Sequence, residues 1–470
     1  MSIRTPTEIQ AACIPHLLAG KALLICVFSM DCIGNAKTGS GKTIAFALPI
    51  LQKLSADPYG LFALILTPTR ELAFQISEQF AVLGAPLNVR TAVVVGGMDM
   101  IAQAIELNNR PHIIIATPGR LVDHMRSSSA EWDLSRVRFL VLDEADRLLT
   151  QSFADDLAHL FVALPSDRQT ALFTATWTSS IDAVADAPPR PGRQKPYIHK
   201  VTERTETVEA LKQLYILVPS HVREVYLFYL LTHVPAEIAH MRRAVPETKK
   251  KGTVSKRKEK PKPKPKRAHD VEQELEQPPP TVIFCARART AAFITSFLQT
   301  LGVRATALHS RLTQRDRLMS LQLFRSNVVP VLVSTDVGAR GLDIEGVALV
   351  VNWDLPGEPE EYTHRVGRTA RAGRSGMAVS FVCERDEDKV HRIEDRIHVR
   401  LEELSLPEES VLEHLSRVGT AKRQAAMASA CIDGFGAKAE YFWTQDIHDS
   451  SFGKREAIHR EKRRIVKGKA

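Results

Sequence analysis

Two short stretches carry chemistry on their own terms. Asp143-Glu144-Ala145-Asp146 follows the apolar, β-branched run 137–142. Such a run reads as a buried parallel strand, so two carboxylates emerge at the carboxyl end of a strand, where open α/β sheets bind ligands. One acid suits a divalent cation, and its neighbour suits positioning and deprotonating a water. Alone, the same acids would equally suit a helix N-terminus. The second stretch decides between these readings. Ala36-Lys37-Thr38-Gly39-Ser40-Gly41-Lys42-Thr43 precedes the helical stretch 44–54. Its glycines let backbone N–H groups wrap phosphate oxygens at a helix N-terminus. Lys42 would reach the β/γ-phosphates, and the Thr43 hydroxyl would ligate Mg²⁺. A phosphate cradle followed by a strand ending in Asp143-Glu144 is the two-part signature of a nucleoside triphosphatase.

The elements that must position these residues follow an alternating pattern. Strands are expected at 61–66, 91–95, 112–116, 137–142 and 170–173, most with helical periodicity after them. That alternation predicts a parallel sheet covered on both faces. Pro188-Pro189-Arg190-Pro191-Gly192 breaks it. A second series follows at 214–218, 281–286, 305–308, 331–333, 348–352 and 378–383. The expected organisation is an α/β fold with a first domain over 1–189 and a linker over 190–212. A second domain spans 213–406, with a low-complexity insertion at about 236–280, and an extension with a basic tail spans 407–470. The insertion contains Lys260-Pro261-Lys262-Pro263-Lys264-Pro265-Lys266, which has no apolar content and is expected to be disordered.

The chain has 470 residues, 44% hydrophobic and 25% charged, which fits two globular domains with extensions. The most apolar stretch, 22–30, is too short to cross a bilayer, and no secretory signal is evident. The six cysteines are scattered without a C-x-x-C pair, which argues against a disulfide framework or a structural metal. The net charge of +9 is unevenly spread. The runs 249–267 (+10) and 454–469 (+6) together exceed it, leaving the rest of the chain at −7. Such runs favour polyanions or nuclear import.

With these motifs in order, the sequence resembles the DEAD-box RNA helicase family over roughly residues 5–382. Asp143-Glu144-Ala145-Asp146 spells the family's name motif. Pro6-Thr7-Glu8-Ile9-Gln10 matches its adenine-reading segment, where Thr7 and Gln10 would contact the base; a glutamine amide can pair bidentately with an adenine edge. Pro68-Thr69-Arg70-Glu71-Leu72-Ala73, Gly96-Gly97 and Thr117-Pro118-Gly119-Arg120 match RNA-backbone contacts. Thr174-Ala175-Thr176 stands for the usual Ser-Ala-Thr. In the second domain, Gln314 to Arg317 fits the Q-x-x-R element. The stretch 334–343 fits the motif that touches RNA through Thr335 and ribose through Asp343. His364-Arg365-Val366-Gly367-Arg368-Thr369-Ala370-Arg371 fits the arginine-finger motif.

The resemblance implies two tandem RecA-like domains with a disordered basic insertion and a basic C-terminal tail, using ATP and Mg²⁺. Asp143 would hold Mg²⁺ through water and Glu144 would act on the attacking water. Arg368 and Arg371 would neutralise γ-phosphate charge from the other domain, and Asp146, Thr174 and Thr176 would couple hydrolysis to RNA. Gln314 and Arg317 would contact RNA. His309 and Ser310 are expected to be structural. The expected activity is RNA-stimulated ATP hydrolysis with local duplex unwinding; a turnover-deficient RNA scaffold and a DNA helicase are the competing readings. The lysine-rich appendages resemble those of the ribosome-biogenesis branch, which implies pre-rRNA, pre-ribosomal protein partners, a monomeric core, and a nuclear, nucleolar location. Two departures stand out. Met1 lies only nine residues before Gln10, where the family has an upstream aromatic and a leading helix; a truncated start and weakened ATP affinity are therefore expected. The apolar residues 22–30 intrude between Gly20-Lys21 and Asp31, as a retained intron or gene-model error would.

Overall fold

The computed structural model describes residues 5–19, 30–36, 39–127, 132–190, 193–200, 211–242, 275–336, 344, 346–370 and 375–432. Residues 22–29 of the apolar stretch, most of the basic insertion and the basic tail lie outside the described residues.

The chain forms two seven-stranded parallel sheets. The first comprises β1 (Cys32–Asn35), β2 (Ala63–Leu66), β3 (Thr91–Val94), β4 (Ile113–Ala116), β5 (Phe139–Asp143), β6 (Gln169–Thr174) and β7 (Tyr197–Lys200). The second comprises β8 (Leu211–Leu217), β9 (Thr281–Phe284), β10 (Ala305–Leu308), β11 (Val331–Ser334), β12 (Leu349–Asn352), β13 (Gly376–Val382) and β14 (Glu402–Glu403). Their spatial orders are β3-β4-β2-β5-β6-β1-β7 and β10-β11-β9-β12-β13-β8-β14. The second is the first with seven added to every strand, so the two units share one winding.

Parallel strands are buried on both faces, and their sequences show it. Ala63-Leu64-Ile65-Leu66 and Ile113-Ile114-Ile115-Ala116 are wholly buried. Each sheet separates two apolar layers. In the first, Phe46, Ile65 and Phe173 lie on one side, and Leu64, Leu140 and Leu172 on the other. In the second, Phe228, Phe297 and Val351 oppose Phe284, Val350 and Tyr362. Helices on both faces leave the carboxyl ends of the strands as the open rim, which is where every strand-terminal motif falls.

Two segments differ from the expected boundaries. Tyr197–Lys200 pairs with β1 and extends the first sheet into the stretch assigned to a linker. With alternate residues exposed, it is a short edge strand, and a four-residue edge after a Pro-rich break leaves little apolar signal. The helix Leu415–Ile432, placed in the extension, buries Val418, Ala421 and Ala425 against the second domain's core. Its mixed composition hides that apolar stripe.

Candidate active site and nucleic-acid face

The site begins at the end of β1. Ala36 N–H donates to Thr174 O (3.0 Å), which ties the phosphate cradle to the end of β6. Asn35 Nδ2 donates to Ala175 O (3.3 Å) across the same join. Gly39 and Gly41 take φ of 80° and 89°, the left-handed region that glycine enters without a Cβ clash. Gly41 then caps the helix Lys42–Ala56. That geometry turns successive N–H groups toward one point at a helix N-terminus. Lys42 Nζ donates to Ala36 O (2.6 Å). Burial holds Lys42 below its usual pKa, against the raising influence of Asp143 and Glu144. The Ser40 hydroxyl is buried with no hydrogen-bond partner among the described residues, so the cradle keeps an unused donor. Thr43 follows on the first helical turn. Lys37 and Thr38 lie outside the described residues.

Gln10 meets this cradle from the helix Glu8–Leu18. Its Oε1 accepts from Thr7 N–H (3.1 Å) and its Nε2 donates to Gly41 O (3.3 Å). One amide hydrogen and one lone pair remain for a base edge. A Cβ on Gly41 would stand 2.3 Å from Gln10 Nε2, so only glycine permits this approach.

The acids sit opposite. Asp143 ends β5 and is 4% exposed. Glu144 turns the chain at φ 53° and donates its backbone N–H to Asp143 Oδ1 (3.1 Å). Burial pushes Asp143 up to about 6, beyond what the nearby Lys42 offsets. Burial, with Asp143 adding to it, pushes Glu144 up to about 7. Asp146 Oδ2 accepts from Thr176 Oγ1 (2.6 Å), and Thr174 Oγ1 donates to Thr176 O (2.7 Å). The three residues assigned to coupling thus form one chain of hydrogen bonds.

The second domain completes this centre. Arg368 is 1% exposed, and its Nε donates to His364 O (3.1 Å). Its charge is a minor lowering influence on both Lys42 and Glu144 of the first domain. The sequence reading did not single out the residue that holds this segment. Arg365 is fully buried, donates from Nε to Asp336 Oδ1 (2.7 Å) and from Nη1 to Asp354 O (2.6 Å), and lies over Phe284. Arg371 and Asp343 lie outside the described residues.

The expected RNA contacts divide into two groups. Arg70 follows Pro68 and Thr69 at the end of β2 and packs against the Gly96-Gly97 turn. A Cβ on Gly97, at φ 79°, would stand 2.4 Å from Arg70 Nη1. Thr117, Pro118 and Gly119 lead from β4 into the helix Pro118–Ser127. Arg120 donates from Nε to Val95 O (3.3 Å) and from Nη2 to Met98 O (3.1 Å). Behind them, Gln103 Nε2 donates to Val95 O (2.9 Å) and its Oε1 meets His124 Nε2 (3.1 Å). Nothing in the motif spacing marks Gln103 or His124.

Gln314 and Arg317 have other partners. Gln314 Nε2 donates to Glu71 Oε1 (3.0 Å), and Arg317 Nη2 pairs with the same oxygen (2.8 Å). Both join the two domains, where RNA contact was expected. Glu71, passed over within the Pro68–Ala73 motif, is their common acceptor. Thr335, 8% exposed, donates its N–H to Leu308 O (3.2 Å) at the end of β11.

Comparison with known proteins agrees with this arrangement. The family model described as DEAD/DEAH box helicase matches residues 7–184, and the Helicase conserved C-terminal domain matches 266–373. The chain is 46% identical to the ATP-dependent RNA helicase DBP8 of Mycosarcoma maydis, over 98% of this chain and 85% of that protein. It is 45% identical to the dbp8 helicase of Schizosaccharomyces pombe, over 100% and 90%. To the human probable ATP-dependent RNA helicase DDX49 it is 39% identical, over 100% and 83%. Among solved structures it is similar to S. cerevisiae Dbp5 bound to RNA and ADP BeF3, at TM-score 0.67 and 25% identity over 90% of this chain and 95% of that one. It is also similar to Mss116p bound to ssRNA and AMP-PNP, at TM-score 0.69 and 27% identity over 92% and 82%.

Proposed function

The chain belongs to the DEAD-box family of ATP-dependent RNA helicases, and from that premise we propose how its own residues share the work. Gln10 reads the base edge while its second bond holds Gly41. The N–H groups around Gly39 to Gly41, with Ser40 and Lys42, bind the phosphates. Glu144 orients the attacking water and takes its proton. Arg368, with Arg371, meets the negative charge that builds on the transferred phosphoryl group; residues in that role are worth on the order of 10³-fold or more in rate. Asp343 holds the ribose.

Asp143 is suited to a divalent cation: it is a buried carboxylate beside the cradle, and a cation would relieve the cost of its charge. Among the described residues no cluster of three or more His, Cys, Asp or Glu builds a metal cage. That fits Mg²⁺, which is commonly shared with substrate phosphates. Asp143 and Thr43 would hold it, and it would neutralise phosphate charge.

Arg70, Gly97 and Arg120 offer an RNA backbone N–H groups and guanidinium donors without reading bases, which suits sequence-independent binding. The chain Asp146–Thr176–Thr174 carries the state of the acids to β6, whose end is bonded to Ala36. Mg²⁺ use, a pre-rRNA substrate, pre-ribosomal protein partners and a nucleolar location complete the reading. The likeness to the DBP8 helicases and the basic runs at 249–267 and 454–469 support it.

One observation carries the two-domain account: Gln314 Nε2 and Arg317 Nη2 reach Glu71 Oε1 across the domain boundary, at 3.0 and 2.8 Å, which docks the arginine-bearing domain on the first. Arg368→Ala is expected to lower RNA-stimulated ATPase about as far as Glu144→Gln, by 10³-fold or so. Near-normal turnover in Arg368→Ala would overturn it.

A further inference from the structure

The opposite rim of the first sheet has no role in this account, and it is basic. In spatial order, the approaches to β3, β4 and β5 carry Arg90, Arg110 and the pair Arg136 and Arg138. Arg168 precedes β6, and Arg190, Arg193 and Lys195 precede β7. These eight cations face four aspartates in the described strand approaches: Asp31, Asp57, Asp133 and Asp167. At the carboxyl ends of the same strands, by contrast, Lys42, Arg70, Arg120 and Arg147 are balanced by the DEAD acids, Glu71 and Asp99. The basic rim also belongs to a chain whose charge is −7 once the two terminal and inserted runs are set aside.

The rim is continuous. Arg90 Nη2 donates to Arg110 O (3.4 Å), and the Cβ position of Gly60 meets Arg110 at 2.8 Å. Next to Gly60, Tyr59 Oη donates to Arg136 O (3.1 Å), and the Arg136 guanidinium lies 4.9 Å over the Tyr59 ring. Arg138 reaches Asp167 (3.5 Å), Arg193 donates to Asp167 O, and Arg190 pairs with Asp31 (2.7 Å). Six inter-strand steps at about 4.8 Å make the rim about 29 Å long. Arg90, Arg110, Arg136 and Arg138 are exposed, and the first three pair with no carboxylate among the described residues. No described carboxylate neutralises those three. Guanidinium groups in a row, one of them stacked on an aromatic ring, suit phosphodiester oxygens.

The geometry points to a second RNA-backbone surface on this amino-end rim, which holds the part of a structured RNA that flanks the strand in the cleft. It rests on the RNA-remodelling reading and adds a distinct contact to it. The test uses the full-length protein carrying Arg90→Gln, Arg110→Gln and Arg136→Gln together. Two RNAs are titrated over a series of salt concentrations: a short single strand that fills only the cleft, and a duplex with a single-stranded extension. On the extended duplex the triple variant should bind about tenfold or more weakly. The slope of log affinity against log salt should fall by about 2 to 3, as for the loss of three phosphate contacts. Short-strand binding and basal ATPase should not change, which shows that the fold and the cleft are intact. The triple Arg→Lys variant should restore duplex binding. Unchanged affinity and slope on the duplex would overturn the rim. Equal weakening on both RNAs would also overturn it, because the effect would then be general. Failure of the wild-type protein to bind the short strand would instead count against the cleft itself.

Discussion

Glu144 must be deprotonated for its proposed task, and its surroundings resist that. Burial and Asp143 raise it to about 7, from an ordinary value of 4.5. Asp143 rises to about 6 from 3.8. As pH rises past the ordinary carboxylate range, the unfolded chain ionises first while the folded chain keeps its protons. Nucleotide-free protein should therefore lose stability from about pH 4 to pH 7 and level off above. Urea midpoints across that range would show the slope, and Glu144→Gln should flatten its upper half. Turnover depends on the deprotonated form, so kcat should rise through about pH 7. A stability profile that is level from pH 4 to 7 would contradict the burial of this pair. The acids and the cradle were legible in the sequence because their chemistry is a matter of residue type and spacing. Their raised pKa values were not, because desolvation belongs to the whole packed end of β5.

At the scale of elements, a strand end delivers a motif and a helix behind it fixes the aim. Arg120 and the Gly96-Gly97 turn look self-sufficient in sequence. In the structure, the carbonyl of Val95 takes a bond from Arg120 and another from Gln103, and His124 secures Gln103 from the next helix. Burial, with Arg120 nearby, holds His124 below its usual pKa, in the neutral form that donates to the Gln103 amide oxygen. Gln103→Leu strips His124 of its buried acceptor and leaves the Val95 carbonyl with only the bond from Arg120, at about 1–3 kcal/mol in stability. RNA-stimulated turnover should then need roughly tenfold more RNA for half-maximal effect, with a smaller change in RNA-independent turnover. An unchanged RNA requirement would reduce Gln103 to a packing residue. The strands expected from apolar runs bounded by turns lie within two residues of their observed ends, except β8, which starts three residues earlier than 214; β1 and the two-residue β14 were not among them. The edge strand β7 was also missed, because it exposes alternate residues; a helix after Pro407 was legible, but not its packing on the second domain, because Leu415–Ile432 carries few large apolar groups.

At the scale of the molecule, Glu71 is the hinge of the account. Its carboxylate, 1% exposed, receives Gln314 and Arg317 from the other domain, and Arg325 reaches Glu78 (3.5 Å) farther along the same helix. Removing one member of a buried pair costs about 3–5 kcal/mol, because the other charge stays buried. Glu71→Gln should thus spare the folding of each domain and penalise their closed pairing. Thermal unfolding should shift by a few degrees at most, while RNA affinity in the presence of a non-hydrolysable ATP analogue falls by 10²-fold or more. A variant that still clamps RNA normally would show that Glu71 is incidental. The family resemblance placed Gln314 and Arg317 on RNA, as the ends of the Q-x-x-R element. Which surface a polar residue meets depends on the docking of two separately wound sheets, which no local pattern encodes. That shared winding has a further consequence. The loop after β1 holds Gly39-Ser40-Gly41-Lys42, whereas the loop after its counterpart β8 reads Val218-Pro219-Ser220-His221. Among the described residues the duplicated architecture shows one phosphate cradle, so on the proposed roles each chain would bind one triphosphate and supply the arginine from its own second domain. Only ten residues separate β7 from β8, which keeps that arginine at a high effective concentration. Dilution, which would silence an enzyme that borrowed its arginine from a neighbouring chain, leaves this one complete.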